Sequence, residues 1–187
     1  MRVSACSLSL ALAATLAGCA AWPGGGRTDP AAAAAQRELR VARVLADEGL
    51  KKLRAGQYEE ASRIFNAGLK FEPENAQLHF LNALTYHFLY LRGDDAMKDL
   101  AATGYTMALA ADPAHYHAAL QLGRLELRAK RYDQSIEAFR RAAEIEPGRG
   151  EPYLGLAAAG YYARGLNTAR DAAEKAVSLL PDSAEAM

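Results

Sequence analysis

The chain has 187 residues, with 22 basic and 22 acidic side chains and a formal net charge of zero at pH 7. This balance provides no general electrostatic attraction to nucleic acid or to an anionic membrane surface, so neither is an expected partner. Once an N-terminal export segment is set aside, the remaining length is that of one elongated domain.

The first eighteen residues have the pattern of an export signal. Arg2 supplies a positive charge, and a short apolar run at 8–16 follows it. A membrane span needs ~20 apolar residues, so this run is too short to be one. Residues 1–18 are therefore predicted to be a secretory signal peptide. The sequence Leu-Ala-Gly-Cys at 16–19 resembles the lipobox of bacterial lipoproteins.

The lipobox resemblance implies that the mature chain begins at an acylated cysteine. In such lipoproteins cleavage precedes the cysteine, and both its thiol and the new amino group are acylated. Cys19 is thus the predicted lipid attachment, and the lipid is the only expected contact with the membrane. Ala20 follows it, which under the sorting rule of enteric-type bacteria implies the periplasmic face of the outer membrane. An ordinary signal peptide cleaved elsewhere, or no export, is the alternative.

Residues 19–36 are predicted to form the lipidated cysteine and a flexible tether. Glycine and proline are frequent here, and there is no apolar periodicity that could build a core. Trp22 would lie either at the lipid headgroups or in solvent. Asp29 and Pro30 precede a run of alanines, a typical helix start. We expect a helix to continue from there into the folded domain.

Four prolines set the period of the folded part: Pro73, Pro113, Pro147 and Pro181. The last two intervals between them are equal, and the first is longer. The equal intervals match the period near 34 that is typical of stacked helix–turn–helix repeats. Small and aromatic residues recur between the prolines: Gly49, Tyr58, Ala61 and Phe65; Gly123, Tyr132, Phe139 and Ala142; Ala157, Tyr161, Ala173 and Ala176.

This arrangement resembles the tetratricopeptide-repeat family, in which small residues lie where helices cross and a proline ends each unit. The resemblance covers about residues 42–181. It implies an all-α, right-handed superhelical solenoid within a domain at 37–187. The four repeats are predicted at 42–75, 76–115, 116–149 and 150–183.

The second repeat is six residues longer than the next two. We predict a first helix at Asn75–Arg92, a turn at Gly93 and Asp94, and a second helix ending near Ala111. Six residues correspond to about one extra turn in each helix. Some aromatic rings of the first helix are expected to protrude and to make the protein specific: Phe80, Tyr86, His87, Phe88 and Tyr90.

In tetratricopeptide stacks the first helix of each unit lines a concave groove. Aromatic residues and arginine are enriched at binding hot spots, so an extended or helical peptide of a protein partner is the expected ligand. For each residue the alternative is a place in the core. The resemblance assigns these residues to the groove: Leu50, Arg54, Phe80, Leu84, His87, Phe88, Leu120, Arg124, Leu127, Arg128, Leu154, Tyr161 and Tyr162.

Some members of this family clamp the C-terminal carboxylate of a peptide with Lys, Asn and Arg side chains. Here Ala46, Leu50, His117 and Gln121 occupy the matching positions. Recognition of a free C-terminus by that route is therefore not expected.

Catalytic and metal-binding patterns are scarce. The sequence has no Gly-x-Ser-x-Gly elbow, no phosphate-binding glycine loop and no His-Glu-x-x-His arrangement. The four histidines are poorly spaced for a shared metal. The second cysteine, Cys6, leaves with the signal peptide, so no thiol remains for a disulfide or zinc site. We expect no enzyme activity, no cofactor and no metal.

The C-terminal end is predicted to be a second contact surface. Repeat arrays usually end in an extra polar helix, but only residues 182–187 follow Pro181. The last helix, about Leu166–Leu180, would leave a face uncovered that contacts a second copy, forming a homodimer, or another partner. Alternatively, so small a face needs little cover. Its residues are Ala173, Ala176, Val177 and Leu180.

The functional expectation is a lipid-anchored scaffold that helps to assemble an envelope machine, a pilus or secretion system. Pilotins, which escort secretin rings, are similar in build, so a secretin or another envelope-assembly component is the implied partner. Two alternatives remain. One is a glycan- or peptidoglycan-binding module that uses Phe88, Tyr161 and Tyr162 as stacking platforms. The other is an accessory subunit that activates a periplasmic cell-wall enzyme.

Overall fold

The computed structural model describes residues 29–180. The predicted signal peptide, Cys19, Trp22 and the segment from Pro181 onward lie outside the described residues. Between residues 29 and 180 the chain forms helices joined by short turns, with no strand, which confirms the all-α prediction. The helices are α1 (Pro30–Arg54), α2 (Tyr58–Leu69), α3 (Ala76–Leu91), α4 (Met97–Ala111), α5 (Tyr116–Arg128), α6 (Tyr132–Ile145), α7 (Glu151–Tyr162) and α8 (Leu166–Leu179).

Short polar side chains start several helices. Asp29 Oδ1 accepts a hydrogen bond from the Ala31 amide at 3.0 Å, and Asn75 Oδ1 accepts one from Leu78 at 2.9 Å. Such caps satisfy amides that have no partner in the first helical turn. Because α1 begins at Pro30, residues 30–36 of the predicted tether are helical. None of the helices in residues 29–180 is long and apolar enough to cross a membrane.

A residue with positive φ lies two positions after the end of each first helix. Gly56 and Gly93 have φ of 73° and 104°, and Lys130 and Arg164 have φ of 61° and 62°. After Gly93, the Asp94 amide donates to the Leu89 carbonyl, which closes a Schellman motif. The same chain reversal therefore recurs in all four units, although only two of them use glycine.

Glycine also allows the two helices of a unit to approach closely. A Cβ atom on Gly49 would lie 2.5 Å from Phe65 Cε1, and one on Gly123 would lie 2.6 Å from Phe139 Cδ1. Both phenylalanines are buried. The two glycines occupy equivalent positions in the first and third units, as do the two phenylalanines. The recurring small residues thus make room for a recurring buried ring.

The core is continuous along the stack. One buried cluster, which includes Leu53, Phe65 and Leu78, joins α1, α2 and α3. A second, which includes Tyr105 and Phe139, extends from α3 to α8. Phe80 packs against both clusters. Each unit therefore buries its apolar face against its neighbours, as expected of a repeat stack.

The extra residues of the second unit are distributed differently from the prediction. Helix α3 has 16 residues against 13 in α5, and α4 has 15 against 14 in α6. The connecting turn, 92–96, is two residues longer than the turn at 129–131. Only α3 gains about one turn. The prediction that its rings protrude is also wrong, because Phe80, Tyr86, Phe88 and Tyr90 are half-buried and His87 is buried.

The outer face of α1 carries charged side chains beside an exposed valine, Val44. Asp47, Glu48 and Lys51 are exposed there. The equivalent positions of α7 are Gly155, Leu156 and Ala159, two of which are buried against the preceding repeat. Charged side chains where internal units place small or apolar ones make α1 unsuited to a further repeat.

Candidate protein-binding groove

The first helices of the units lie side by side on the inner face of the stack. Helix α1 contacts α3, α3 contacts α5, and α5 contacts α7, whereas the second helices make no comparable contacts with one another in the described chain. In a curved stack, the elements that approach one another lie on the concave side. Helices α1, α3, α5 and α7 therefore line the groove.

The residues predicted for this groove fall into three groups by exposure. Arg54, Arg124, Arg128, Tyr161 and Tyr162 are exposed. The apolar members between them are half-buried, so each offers part of its side chain to a ligand: Leu50, Phe80, Leu84, Phe88, Leu127 and Leu154.

Two predicted groove residues are core residues. Leu120 is 3% exposed and His87 is 6% exposed. The apolar pattern of the first helices covers both the core and the groove, and an error of one position in helix rotation exchanges the two. His87 and Leu120 are therefore corrected from groove to core.

His87 is held neutral inside the stack. Its Nδ1 lies 3.1 Å from Tyr105 Oη, within hydrogen-bonding distance. Burial, together with the positive charges of Arg128 and Arg124, lowers the pKa of His87 to about 4. Burial also raises the pKa of Tyr105 far above its ordinary value. The histidine thus lies close enough to the two arginines to be influenced by their charge.

Two groove residues, Phe88 and Tyr162, are each stacked against a tyrosine of the preceding unit. The rings of Tyr58 and Phe88 are 5.2 Å apart and inclined at 14°, and Arg92 lies 4.3 Å from the centre of the Tyr58 ring. The rings of Tyr132 and Tyr162 are 5.5 Å apart and inclined at 16°. In each pair a tyrosine that starts a second helix supports a ring on the first helix of the next unit.

Sequence reasoning missed Tyr58, Arg92 and Tyr132 as parts of the groove. Attention to the first helices alone excluded Tyr58 and Tyr132, which begin second helices. A signal was available, because the spacing from Tyr58 to Tyr132 equals the spacing from Phe88 to Tyr162. Equal spacing of the two tyrosines and of their two partner rings predicts that the same ring contact occurs in both places.

At the joint between the second and third units, an ion pair occupies the position of the stacked rings. Helix α4 begins at Met97, and the described residues show no ring stack at this position. Arg131 contacts Asp99 at 2.5 Å and Glu126 at 3.4 Å. Burial raises the pKa of Glu126. The hydrogen bond that Asp99 accepts from Arg131 lowers the pKa of Asp99. An ion pair therefore lies where a ring stack lies at the other two joints, while Phe80 of α3 meets the ring of His117 on α5 elsewhere in this joint.

The inner face of the last three first helices carries unbalanced positive charge. Helix α3 has no acidic residue, α5 has only Glu126, which is buried, and α7 has only Glu151. Glu151 accepts a hydrogen bond from Tyr116 Oη at 2.9 Å. Within residues 29–180, neither Arg124 nor Arg128 has a carboxylate within 4.0 Å.

The C-terminal face is partly covered. Val177 is 40% exposed, and Ala173 is half-buried. Ala176 is fully buried because α8 packs against α7, and it is therefore corrected from a contact residue to a core residue. Leu180 folds back so that its side chain fills the space that a Cβ on Gly150 would occupy. Only Val177 and part of Ala173 and Leu180 remain available there.

The described residues contain no group of three or more His, Cys, Asp or Glu side chains placed to hold a metal ion. The surface depressions are shallow and open. One of them, lined by Tyr161, Tyr162, Arg164 and Leu166, adjoins the groove at its C-terminal end.

Comparison with known proteins agrees with this architecture. The family model described as Tetratricopeptide repeat matches residues 116–149. MamA 41-end from Desulfovibrio magneticus RS-1 is 23% identical, with a TM-score of 0.68 and coverage of 78% of each chain. This chain folds as a tetratricopeptide-repeat solenoid.

Two other solved tetratricopeptide-like structures show the same fold. One, described as Pseudomonas aeruginosa pilF, is 20% identical with a TM-score of 0.66, covering 80% of this chain and 65% of that one. The other, YrrB, is described as a TPR protein with an unusual peptide-binding site. It is 20% identical with a TM-score of 0.66, covering 78% and 72% of the two chains. The comparison with curated proteins found no match.

Proposed function

We propose that this protein is a lipid-anchored periplasmic tetratricopeptide scaffold. Its groove binds a segment of a protein partner and helps to assemble an envelope machine, a pilus or secretion system. The observation that carries the proposal is the inner face of α3, α5 and α7. There the exposed Arg124 and Arg128 of α5 lie between the half-buried apolar side chains of α3 and the exposed tyrosines of α7. Repeat stacks present such extended concave faces as binding surfaces.

The anchor rests on the sequence Leu-Ala-Gly-Cys at 16–19, directly after an apolar signal region. Acyl chains on Cys19 would hold the protein at the membrane, with ~0.8 kcal/mol gained for each buried methylene. Ala20 favours the outer membrane. The assembly role and a secretin partner rest on the resemblance to pilotin-type lipoproteins.

Chemical crosslinking followed by pull-down from membranes tests the groove. We expect Arg128→Ala and Phe88→Ala to lose partners that the wild-type chain captures. Arg63→Ala is the matched control, since Arg63 is an exposed arginine on α2, outside the groove. Circular dichroism verifies the folding of each variant. An unchanged set of partners in both groove variants would contradict the groove proposal.

Membrane fractionation tests the anchor separately. Replacing Cys19 by Ser should release the protein into the soluble periplasmic fraction, because the acylated thiol is lost. Cys6→Ser is the control, since Cys6 belongs to the predicted signal peptide. Continued sedimentation of the Cys19→Ser protein with membranes would contradict the lipobox interpretation.

A second candidate function is glycan binding at the C-terminal end of the groove. Tyr161 and Tyr162 are 65% and 58% exposed, and their rings meet edge to face at 5.5 Å. Exposed rings of this kind can stack on sugars. Phe88 is less suitable, because Tyr58 covers one of its faces. Sedimentation with purified peptidoglycan, comparing wild type with Tyr161→Ala, distinguishes this function from protein binding.

A further inference from the structure

Arg128 lies in a row with two rings along the groove. Phe88, Arg128 and Tyr162 occupy equivalent positions of three successive first helices, at the same spacings as the prolines Pro73, Pro113 and Pro147. Tyr58 supports Phe88 from behind, and Tyr132 supports Tyr162. Along the groove, the row therefore consists of an aromatic ring, a cation and a second aromatic ring. The stacking contacts fix the orientation of both rings before any ligand binds.

The charge in this row has no counterpart in the described groove. Arg124 lies one helical turn before Arg128, and both are exposed. The carboxylates on α5 and α7 are engaged elsewhere, Glu126 with Arg131 and Glu151 with Tyr116. The whole chain is balanced at 22 basic and 22 acidic residues, so the unpaired arginines are a local feature. The lowered pKa of His87, to which both arginines contribute, is consistent with this uncompensated charge.

We propose that the groove recognises an extended segment with an internal acidic residue flanked on both sides by hydrophobic residues. This inference rests on the proposed function and specifies its ligand. The acidic side chain pairs with Arg128 and Arg124, and the hydrophobic side chains contact Phe88 and Tyr162. Arginine suits this role because its guanidinium binds a carboxylate through two hydrogen bonds.

The spacing of the row sets the spacing of the motif. Adjacent packed helices have axes about 8–10 Å apart. An extended chain rises about 3.3 Å per residue, so about three residues separate one row position from the next. The expected motif therefore has hydrophobic residues three positions before and three positions after the acid. Ala46, Leu50, His117 and Gln121 provide no clamp for a terminal carboxylate, so the acid is an internal side chain.

A synthetic peptide series tests the proposal. The parent nonapeptide has a central glutamate, leucine three positions to each side, and serine and glycine elsewhere. The matched peptide has a central glutamine, and two others place the leucines one or four positions from the glutamate. Binding to the full mature chain carrying Cys19→Ser is measured by fluorescence anisotropy at low ionic strength. We expect about five- to tenfold tighter binding of the glutamate peptide than of the other three.

Variants of the protein assign that preference to the arginines. Arg128→Gln should reduce binding of the glutamate peptide to the level of the glutamine peptide, and Arg124→Gln should reduce it partly. Arg63→Gln, a change of an exposed arginine on α2, should leave the preference intact. Because these side chains are exposed, the variants should keep the thermal unfolding midpoint of the wild type.

The contradicting results separate this inference from the proposed function. Equal binding of the glutamate and glutamine peptides, weakened by Phe88→Ala, would overturn the acidic motif and preserve a protein-binding groove. No binding of any peptide, with membrane crosslinks unchanged in the groove variants, would overturn both. A change in oligomeric state of Arg128→Gln during sedimentation would assign the groove to a second copy and would also overturn the acidic motif.

Discussion

Lys130 and Arg164 occupy backbone positions that the first two units fill with glycine. Their φ angles of 61° and 62° lie in the left-handed region, where a Cβ atom crowds the following carbonyl. Neither position requires its side chain for the Schellman motif, which uses backbone groups only. The third and fourth units therefore retain a small strain that the first two avoid.

Replacing Lys130 by glycine should stabilise the protein. We expect Lys130→Gly to raise the free energy of unfolding by about 1 kcal/mol, because the left-handed conformation costs glycine nothing. Urea denaturation measures the change. Lys70→Gly is the matched control, since Lys70 is exposed and directly follows α2 with φ of −69°. There glycine should destabilise, and stabilisation of both variants would contradict the explanation.

His87 should make stability depend on pH. Burial and the charges of Arg124 and Arg128 hold its folded pKa near 4, below its ordinary value of 6.5, and Tyr105 on α4 faces its ring. The unfolded chain therefore binds the extra proton first, and the folded state loses stability as pH falls from 6.5 to about 4. We expect a loss on the order of 2 kcal/mol over this range.

Chemical denaturation at several pH values measures this effect, and His87→Gln isolates it. The variant should lose less stability on acidification than the wild type. Some dependence should remain, because burial also lowers the pKa of His115. Identical pH profiles for wild type and variant would contradict a neutral buried His87.

For single residues, the sequence predicted which positions pack between helices better than which way each side chain points. The period of the prolines located the recurring apolar, small and aromatic positions. It could not separate His87 and Leu120 in the core from Leu84 and Leu127 in the groove. The two faces adjoin on a helix with about 3.6 residues per turn, and both are apolar.

At the scale of elements, α8 is the most weakly held second helix. It buries Ala172 and Ala176, whereas α6, one period earlier and also 14 residues long, buries five residues including Phe139. Helix α6 lies between α5 and α7, but among the described helices α8 packs chiefly against α7. Fewer contacts and smaller side chains imply that α8 opens first.

Hydrogen exchange should show this difference. We expect the central amides of α8 to be at least about tenfold less protected than those of α6, because local opening costs less where few apolar groups are buried. Mass spectrometry of peptic fragments from the intact chain gives both values in one experiment. Equal protection of α6 and α8 would show that the last helix is held by contacts beyond those with α7.

The long second unit shows what element prediction could not resolve. Its helix limits followed from Asn75 before α3 and Gly93 after it, both strong boundary residues. The distribution of its extra residues did not follow, because two of them entered the turn at 92–96, where Asp94 accepts a hydrogen bond from Ala96 at 3.2 Å. The length of a repeat gives the number of extra residues but does not show whether they extend a helix or a loop.

At the scale of the whole molecule, the two ends of the stack differ. The outer face of α1 combines the charges of Asp47, Glu48 and Lys51 with the exposed Val44, whereas α8 exposes Val177. A head-to-tail contact would place Asp47, Glu48 and Lys51 of one copy against Val177 of another and would remove these charges from water. A contact between two C-terminal ends avoids this cost and has two-fold symmetry, which closes at two subunits.

Any self-association should therefore stop at a dimer. Sedimentation velocity of the mature chain carrying Cys19→Ser should show a monomer–dimer equilibrium that Val177→Lys shifts towards monomer. Val44→Lys is the matched control, because Val44 is 63% exposed on the outer face of α1 and should have no effect. Species that keep growing with concentration would contradict the closed arrangement.

The fold as a whole was the most predictable level, since a fixed period specifies a stack whatever the individual contacts are. The joints between units were not predictable. The repeat period is compatible with either a ring pair or an ion pair between units. Only the structure shows that the joint at Tyr58 has stacked rings and that the joint at Arg131 has an ion pair at the same place.

The middle joint gives the groove one contact that is sensitive to salt. Stacked rings respond little to dissolved salt, whereas Arg131 and Asp99 form a solvent-exposed ion pair that salt weakens. The apolar core still spans the joint, since Tyr105 on α4 and Leu125 on α5 belong to one cluster. Arg131 follows Arg128 by three residues. Ionic strength therefore acts on two neighbouring arginines at once: it weakens the contact of Arg131 with Asp99 and screens the charge of Arg128 that attracts the ligand.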